Sequence, residues 1–154
     1  MTDAPRHRGL TADMFLIRRE TFLTLRRVGG LGAGFEYIPG GVVEPGEDPM
    51  DAAVRETTEE CGLHPRDVSL LRVWTYPTPE GHETVHATYV GYSDEGDVQL
   101  SAEHDGSRWV TADAYVERWV SPGLDDTFPD YAVLFQQIRR NCDLVREFLV
   151  RRSV

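Results

Sequence analysis

The chain has 154 residues, of which 40% are hydrophobic and 27% are charged, as in a globular domain of ordinary size with one core. Its apolar runs are far shorter than the roughly 20 residues that cross a bilayer. Sixteen basic against 26 acidic residues give a net charge of −10, which disfavours nonspecific binding to nucleic acid or to an anionic membrane.

The beginning of the chain is polar and carries no recognisable export signal. Only two cysteines are present, Cys61 and Cys142, which is too few for a disulfide framework. We therefore expect a cytoplasmic location. We predict a polar tail over residues 1–10 and a single domain over residues 11–154.

The first half of the chain predicts short strands. Two apolar runs at 14–19 and 21–27 are separated by Glu20 and indicate adjacent strands. A glycine-rich loop follows at 29–34, and then a short strand at 36–38.

A helix is predicted over residues 49–61. Asp48 is a capping residue directly before Pro49, which suits the first helical position. Gly62 suits the left-handed conformation in which helices commonly end.

The second half of the chain predicts further strands, a short helix and a long final helix. Strands are expected at 68–76, 84–92, 98–100 and 109–111, and the short helix at 113–119. From Asp130 onward, apolar residues recur at helical spacing, which predicts a long amphipathic helix: Tyr131, Leu134, Phe135, Ile138, Cys142, Val145 and Leu149. This order of elements leaves an α+β or an α/β sandwich open.

Three carboxylates in the first helix form the most informative pattern. Glu56, Glu59 and Glu60 have spacings of three and four residues, so they project from one helix face. Like charges at this spacing repel, and a divalent cation with a preference for oxygen ligands, such as Mg²⁺, would stabilise them. The preceding Gly40 and Gly41 let the backbone approach an ion or a phosphate closely.

At this point the segment from Gly41 to Leu63 resembles the signature box of the Nudix hydrolases. The family pattern is Gly, five residues, Glu, seven residues, Arg-Glu, an aliphatic residue, any residue, Glu-Glu, any residue, Gly and an aliphatic residue. The positions are filled by Gly41, Glu47, Arg55, Glu56, Thr57, Glu59, Glu60, Gly62 and Leu63. Thr57 is the one departure, and because its position faces the core it concerns packing more than chemistry.

The resemblance implies an α/β/α sandwich with a mixed β-sheet between helices. It also implies that Glu56, Glu59 and Glu60 bind Mg²⁺ or Mn²⁺, together with the carbonyl of Gly40. The family's orienting salt bridge would join Glu47 to Arg55. These roles rest on the match to the box.

Family members differ in their general base, which leaves two candidates here. One is Glu56 within the box, and the other is Glu103 in a later loop. The alternative for Glu103 is an ordinary loop carboxylate. The adjacent His104 is a candidate for contact with substrate or an ordinary surface histidine.

Candidate substrate-binding residues lie before and at the start of the box. Arg26 and Arg27 are candidates to hold a phosphate, with surface arginines as the alternative, and Gly41 allows close approach of a ligand. The string from His82 to His86 also matches the HExxH pattern of zinc proteases, but its β-branched and aromatic surroundings predict a strand instead.

Together these features predict a metal-dependent hydrolase that cleaves a phosphoanhydride bond in a nucleoside diphosphate derivative, most simply a (d)NTP or a nucleotide sugar. One alternative is a ligand-sensing Nudix module without turnover. Another is an isomerase of allylic diphosphates, which would need a catalytic cysteine outside the box. The expected partner is a small phosphorylated molecule and not nucleic acid or membrane, and the long final helix suggests a homodimer.

Overall fold

In the computed structural model, which describes residues 7–30, 33–78, 81–120 and 131–153, seven strands and three helices follow along the chain. In chain order they are β1 (His7–Arg18), β2 (Thr21–Arg27), β3 (Glu36–Tyr37), β4 (Gly40–Val42), α1 (Pro49–Cys61), β5 (Arg66–Pro77), β6 (Glu83–Tyr92), β7 (His104–Val110), α2 (Ala112–Trp119) and α3 (Ala132–Arg152). Among these residues, no helix combines the length and the hydropathy needed to cross a bilayer.

The strands form one mixed sheet in the order β3-β2-β1-β6-β5, with β4 paired to β1 and β7 paired to β2. Strand β1 runs parallel to β6 and antiparallel to β2 and β4. All other pairs are antiparallel. The mixed sheet agrees with the predicted architecture.

Successive side chains of β1 point to opposite faces of the sheet, and both faces are covered by helices. Ala12, Met14 and Leu16 pack in a core cluster with α1. Phe15 and Ile17 pack in a second cluster with residues of α2 and α3. The fold is therefore the predicted α/β/α sandwich, with α1 on one face and α2 and α3 on the other.

Helix α1 begins and ends where the sequence predicts. The side chain of Asp48 accepts a hydrogen bond from the Met50 amide at 2.8 Å, and Gly62 ends the helix with φ of 74°. Thr57 is fully buried, and its hydroxyl donates to the Ala53 carbonyl at 2.7 Å. The departure from the family pattern is thus accommodated by a hydrogen bond within the helix.

We expect Thr57→Val to change the free energy of unfolding by no more than about 1 kcal/mol. The Thr57 hydroxyl donates to the Ala53 carbonyl, which also accepts the ordinary backbone hydrogen bond of the helix. Replacing the hydroxyl with a methyl group therefore leaves no buried polar group without a hydrogen bond. Urea denaturation measures the change. Thr58→Val is the matched control, since Thr58 makes the same bond to Val54 at 2.9 Å on the exposed side. A loss above about 2 kcal/mol specific to Thr57 would show that its hydroxyl is needed for packing.

Two predictions about strand positions are wrong. Strand β1 already begins at His7, so residues 7–10, expected in the tail, lie in the sheet, where Leu10 pairs with Val85. Residues 98–100 form no strand, because their backbone is bound to the end of α1 instead. The Gln99 amide donates to the Cys61 carbonyl at 2.8 Å.

Several other elements are longer than predicted. Strands β5 and β7 begin at Arg66 and His104 rather than at residues 68 and 109. In α3 the predicted apolar stripe is buried at Phe135, Ile138 and Cys142, among others. Asp130, the predicted start of this helix, lies outside the described residues, as do residues 1–6 of the predicted tail.

Candidate active site

The acidic face of α1 lies directly against β4. The backbone amide of Gly40 donates to Oε2 of Glu60 at 3.1 Å. A Cβ atom on Gly41 would lie 2.4 Å from Oε1 of Glu56, well inside van der Waals contact. Gly41 is therefore required by the close approach of the Glu56 carboxylate, whereas Gly40 is required by the close approach of β1, where a Cβ atom would lie 2.5 Å from Cβ of Asp13.

Arg55 forms hydrogen bonds with three of the glutamates in this region. Its Nε and Nη2 atoms bind the two oxygens of Glu47 at 2.8 and 2.9 Å, the bidentate geometry that best suits a guanidinium and a carboxylate. Its Nη1 atom binds Glu56 at 2.9 Å and Glu59 at 3.3 Å. The hydrogen bond from Arg55 lowers the pKa of Glu47. The predicted pairing of Glu47 with Arg55 is present, and Arg55 also ties two box carboxylates together.

Glu60 is the most deeply buried of these carboxylates, with 6% of its surface exposed. Its pKa is raised to about 8, chiefly by burial; the Gly40 amide opposes this shift, and the charges of Glu56 and Glu103 add to it. Such a carboxylate is costly to ionise unless a cation is near. A divalent cation bound at Glu60 would therefore favour the ionised carboxylate.

The later loop brings two further groups to Glu60. One ligand atom each from Glu60, Glu103 and His104 lie within 4.8 Å of one another. The loop is held there by its backbone, because the Ser101 amide donates to the Glu60 carbonyl at 3.1 Å and the Val28 amide donates to the Glu103 carbonyl at 3.0 Å. Glu103 therefore lies beside the box glutamates, as a base candidate must, although it is exposed.

The two candidate arginines of β2 lie in different surroundings. Arg27 is opposite His104 in the pairing of β2 with β7. Burial and then the positive charge of Arg27 lower the pKa of His104, and the same charge weakly opposes the rise in the pKa of Glu60. Arg26 instead forms a salt bridge with Asp105 at 2.7 Å. Of the two, Arg27 has the charge directed toward the carboxylate cluster.

One buried acid in this region was missed by sequence reasoning. Asp13 of β1 is 2% exposed, and within the described residues neither of its carboxylate oxygens has a hydrogen-bond partner. The Nδ1 atom of His86 in β6 lies 3.4 Å from its Oδ2 atom. A lone aspartate in an otherwise apolar strand is the signal that could have found it.

The HExxH string is not a zinc site of the protease kind. His86 lies within β6 and stacks on Trp74 with ring centroids 4.3 Å apart, whereas His82 precedes the strand. The two histidines therefore do not share a helix face, as that chemistry requires. The predicted strand is confirmed.

The donor set suits a hard divalent cation. Most of the groups that meet between α1, β4 and the start of β7 are carboxylates, which are the ligands that Mg²⁺ and Mn²⁺ prefer, and His104 adds an imidazole. The buried Glu60 carboxyl gives such an ion a reason to bind, because a nearby cation favours its ionised form. By this chemistry, Glu56, Glu59 and Glu60 with the Gly40 carbonyl remain the proposed ligands.

Comparison with known proteins places the chain in a family. The model of the NUDIX domain matches residues 7–131. The chain is 37% identical to an ADP-ribose pyrophosphatase of Methanocaldococcus jannaschii over 78 residues, which cover 49% of this chain and 46% of that protein. It is 39% identical to an 8-oxo-dGTP diphosphatase of Escherichia coli over 66 residues, covering 43% and 51% of the two proteins.

The aligned segments thus span about half the length of these two curated relatives. Among solved structures, the MutT protein of Methanosarcina mazei is similar with a TM-score of 0.66 and 24% identity, over 88% of this chain and 95% of that one. This likeness shows the fold. With a family match over most of its length, a sandwich of the same kind and a complete signature box, the chain belongs to the Nudix hydrolase family.

Proposed function

We propose that this protein is a divalent-metal-dependent hydrolase that cleaves a phosphoanhydride bond in a nucleoside diphosphate derivative. The observation that supports this most directly is the approach of the Glu56 and Glu60 carboxyl groups to the glycine backbone of β4. Arg55 in turn binds Glu47, Glu56 and Glu59. A complete carboxylate set would serve no purpose in a module that only binds a ligand. This argues against the sensing alternative.

Mg²⁺ or Mn²⁺, held by Glu56, Glu59 and Glu60 with the Gly40 carbonyl, would supply charge neutralisation for the diphosphate and a more acidic bound water. Within the chain, Arg55 keeps the carboxylates of Glu56 and Glu59 in fixed positions. The proton of the attacking water would pass to a carboxylate oxygen of Glu56 or Glu103. The missing side chain of Gly41 lets the Glu56 carboxylate lie directly against the backbone of β4.

The isomerase alternative lacks a suitable cysteine. Cys61 and Cys142 are both fully buried, one at the end of α1 and the other in the core under α3. Burial raises the pKa of Cys142 to about 12, so its thiol does not ionise near neutral pH. Neither residue can serve as an exposed acid or nucleophile.

The substrate class is supported by the relatives and by the site. The relatives named above act on ADP-ribose and on 8-oxo-dGTP, both nucleoside diphosphate derivatives. We infer a small nucleotide, such as a (d)NTP or a nucleotide sugar, as the substrate of this chain. Its cytoplasmic location and its assembly as a homodimer stay predictions, the second of which sedimentation measures directly.

The experiment that tests the function is release of phosphate or AMP from a nucleotide panel in the presence of Mg²⁺ or Mn²⁺. The panel contains (d)NTPs, ADP-ribose, NADH and dinucleoside polyphosphates. We expect turnover of at least one compound by the wild type and its loss in Glu59→Gln. Glu117→Gln makes the same chemical change on the exposed side of α2 and should keep full activity. Turnover that survives Glu59→Gln would contradict the ligand assignment, and no turnover of any compound would favour the sensing module.

We expect Arg27→Ala to raise KM for the nucleotide by about tenfold with a smaller effect on kcat, as for loss of one charge-assisted contact to a phosphate. Arg26→Ala is the comparison, and it should change KM less because its guanidinium is already bound to Asp105. Steady-state kinetics at saturating metal measure both. A larger increase in KM for Arg26→Ala than for Arg27→Ala would assign the phosphate contact to Arg26.

A further inference from the structure

The loop before β7 brings an imidazole to the carboxylate cluster, which the signature box alone does not supply. His104 is the first residue of β7, and one of its ring nitrogens is among the three ligand atoms, with Glu60 and Glu103, that lie within 4.8 Å of one another. Its Nδ1 atom is buried and, within the described part of the chain, has no hydrogen-bond partner. A buried ring nitrogen without a partner requires an explanation.

The backbone of His104 is held on two sides, by the turn before β7 and by strand pairing. The His104 amide donates to the Ser101 carbonyl at 3.3 Å, and the Ser101 amide in turn donates to the Glu60 carbonyl at 3.1 Å. On its other side, His104 pairs with Arg27 of β2. This segment is therefore attached both to α1, which carries Glu60, and to the sheet, so the backbone positions of the three residues are fixed relative to one another.

The distances are close to those of a coordinated ion. Ligand atoms about 2.1 Å from one octahedral ion are separated by about 3.0 Å when adjacent and about 4.2 Å when opposite. Ligand atoms that all lie within 4.8 Å need only small rotamer adjustments to reach this arrangement.

An imidazole changes which metals such a centre binds well. Carboxylates alone suit Mg²⁺ and Mn²⁺ alike, whereas imidazole nitrogen is a borderline donor that favours first-row transition ions and contributes little to Mg²⁺. A centre with carboxylates from Glu60 and Glu103 and one nitrogen from His104 is therefore biased toward Mn²⁺ and its neighbours in the transition series.

We propose that His104 contributes a ring nitrogen to the metal centre beside Glu60 and Glu103, and that this nitrogen gives the centre a preference for Mn²⁺ over Mg²⁺. The inference deepens the proposed function, because it places the ion of that reaction in contact with a residue outside the signature box. It concerns the binding of the ion and is tested without substrate.

The first measurement is calorimetric titration of the full chain with Mn²⁺ and with Mg²⁺. We expect the wild type to bind Mn²⁺ more tightly, and His104→Ala to weaken Mn²⁺ binding by about tenfold while Mg²⁺ binding changes by less than about twofold, as the donor preference requires. His64→Ala removes an exposed histidine near the end of α1 and should change neither affinity. Equal weakening of both ions in His104→Ala would overturn the proposal.

The second measurement detects the nitrogen itself. Electron spin echo envelope modulation of the Mn²⁺-loaded wild type should show coupling to a directly bound ¹⁴N nucleus, and this coupling should vanish in His104→Ala and in His104→Gln. The glutamine variant retains a polar side chain, so it guards against a loss caused by disturbed packing. Mn²⁺ binding to the wild type without ¹⁴N coupling would overturn the proposal.

Different results would contradict the proposed hydrolase function and the proposed role of His104 in metal binding. Metal-dependent hydrolysis of a nucleotide without ¹⁴N coupling would remove His104 from the centre and leave the function intact. Nitrogen coupling in a protein that hydrolyses no compound of the panel would keep the metal assignment and remove the hydrolase function.

Discussion

Glu56→Gln should lower kcat on the nucleotide substrate by roughly 10³-fold, the scale expected when a catalytic carboxylate loses its charge. The Glu56 carboxylate lies between Arg55 and β4: Arg55 binds one of its oxygens at 2.9 Å, and Gly41 of β4 lies against the same carboxylate. The amide of glutamine retains the size of the side chain but neither the negative charge nor the ability to take a proton. Steady-state kinetics measure the loss, and circular dichroism checks that the fold is kept.

Glu103→Gln is the comparison that decides between the two candidate bases. Glu103 is exposed in a turn, whereas the side chain of Glu56 is only 17% exposed and is fixed by Arg55. We therefore expect the smaller kcat loss for Glu103→Gln, on the order of tenfold to a hundredfold. A larger loss in Glu103→Gln than in Glu56→Gln would make Glu103 the base. A Glu56→Gln enzyme that retains more than about a tenth of the wild-type kcat would show that Glu56 has no catalytic role.

Gly40→Ala and Gly41→Ala, although adjacent, should fail in different ways. A Cβ atom on Gly40 would lie 2.5 Å from Cβ of Asp13 and 2.7 Å from the Ala12 carbonyl oxygen, so β4 would have to move away from β1. We expect the free energy of unfolding to fall by about 3 kcal/mol, as for overpacking that displaces backbone. Urea denaturation measures this loss.

On Gly41 the added atom would meet only the end of the Glu56 side chain, which can rotate away. We expect Gly41→Ala to cost about 1 kcal/mol of stability and to lower kcat by about a hundredfold, because the carboxylate leaves its position while the sheet remains intact. The contrast between the two variants is the test. Equal loss of stability in both would mean that the contact with Glu56 also supports the fold, and full activity in Gly41→Ala would mean that the position of Glu56 is not needed for the reaction.

The parts of the fold that the sequence predicts well are those whose signals are local. The ends of α1 follow from a capping aspartate and a C-terminal glycine, and both are present at Asp48 and Gly62. The family pattern adds the pairing of Glu47 with Arg55, eight residues apart on a loop and the helix that follows it. These features need no knowledge of distant parts of the chain.

The errors and omissions depend on contacts between distant residues. Residues 98–100 have the composition of a strand, but their backbone binds the end of α1 and pairs with no neighbour in the sheet. The approach of Glu103 and His104 to Glu60 depends on how β7 pairs with β2, which no local pattern encodes. The burial of Asp13 depends on β1 having neighbours on both sides and helices on both faces.

The hydrogen bond from the Gly40 amide to Glu60 also turns the backbone of β4 into a reporter on the site. The chemical shift of an amide proton depends strongly on the charge of its acceptor, and here the acceptor is a single carboxylate oxygen 3.1 Å away. In an NMR spectrum of the ¹⁵N-labelled protein, one glycine resonance would therefore follow the ionisation of Glu60 and its engagement by an ion. Occupancy of the centre could thus be read at each step of a titration without substrate and without a label placed in the site.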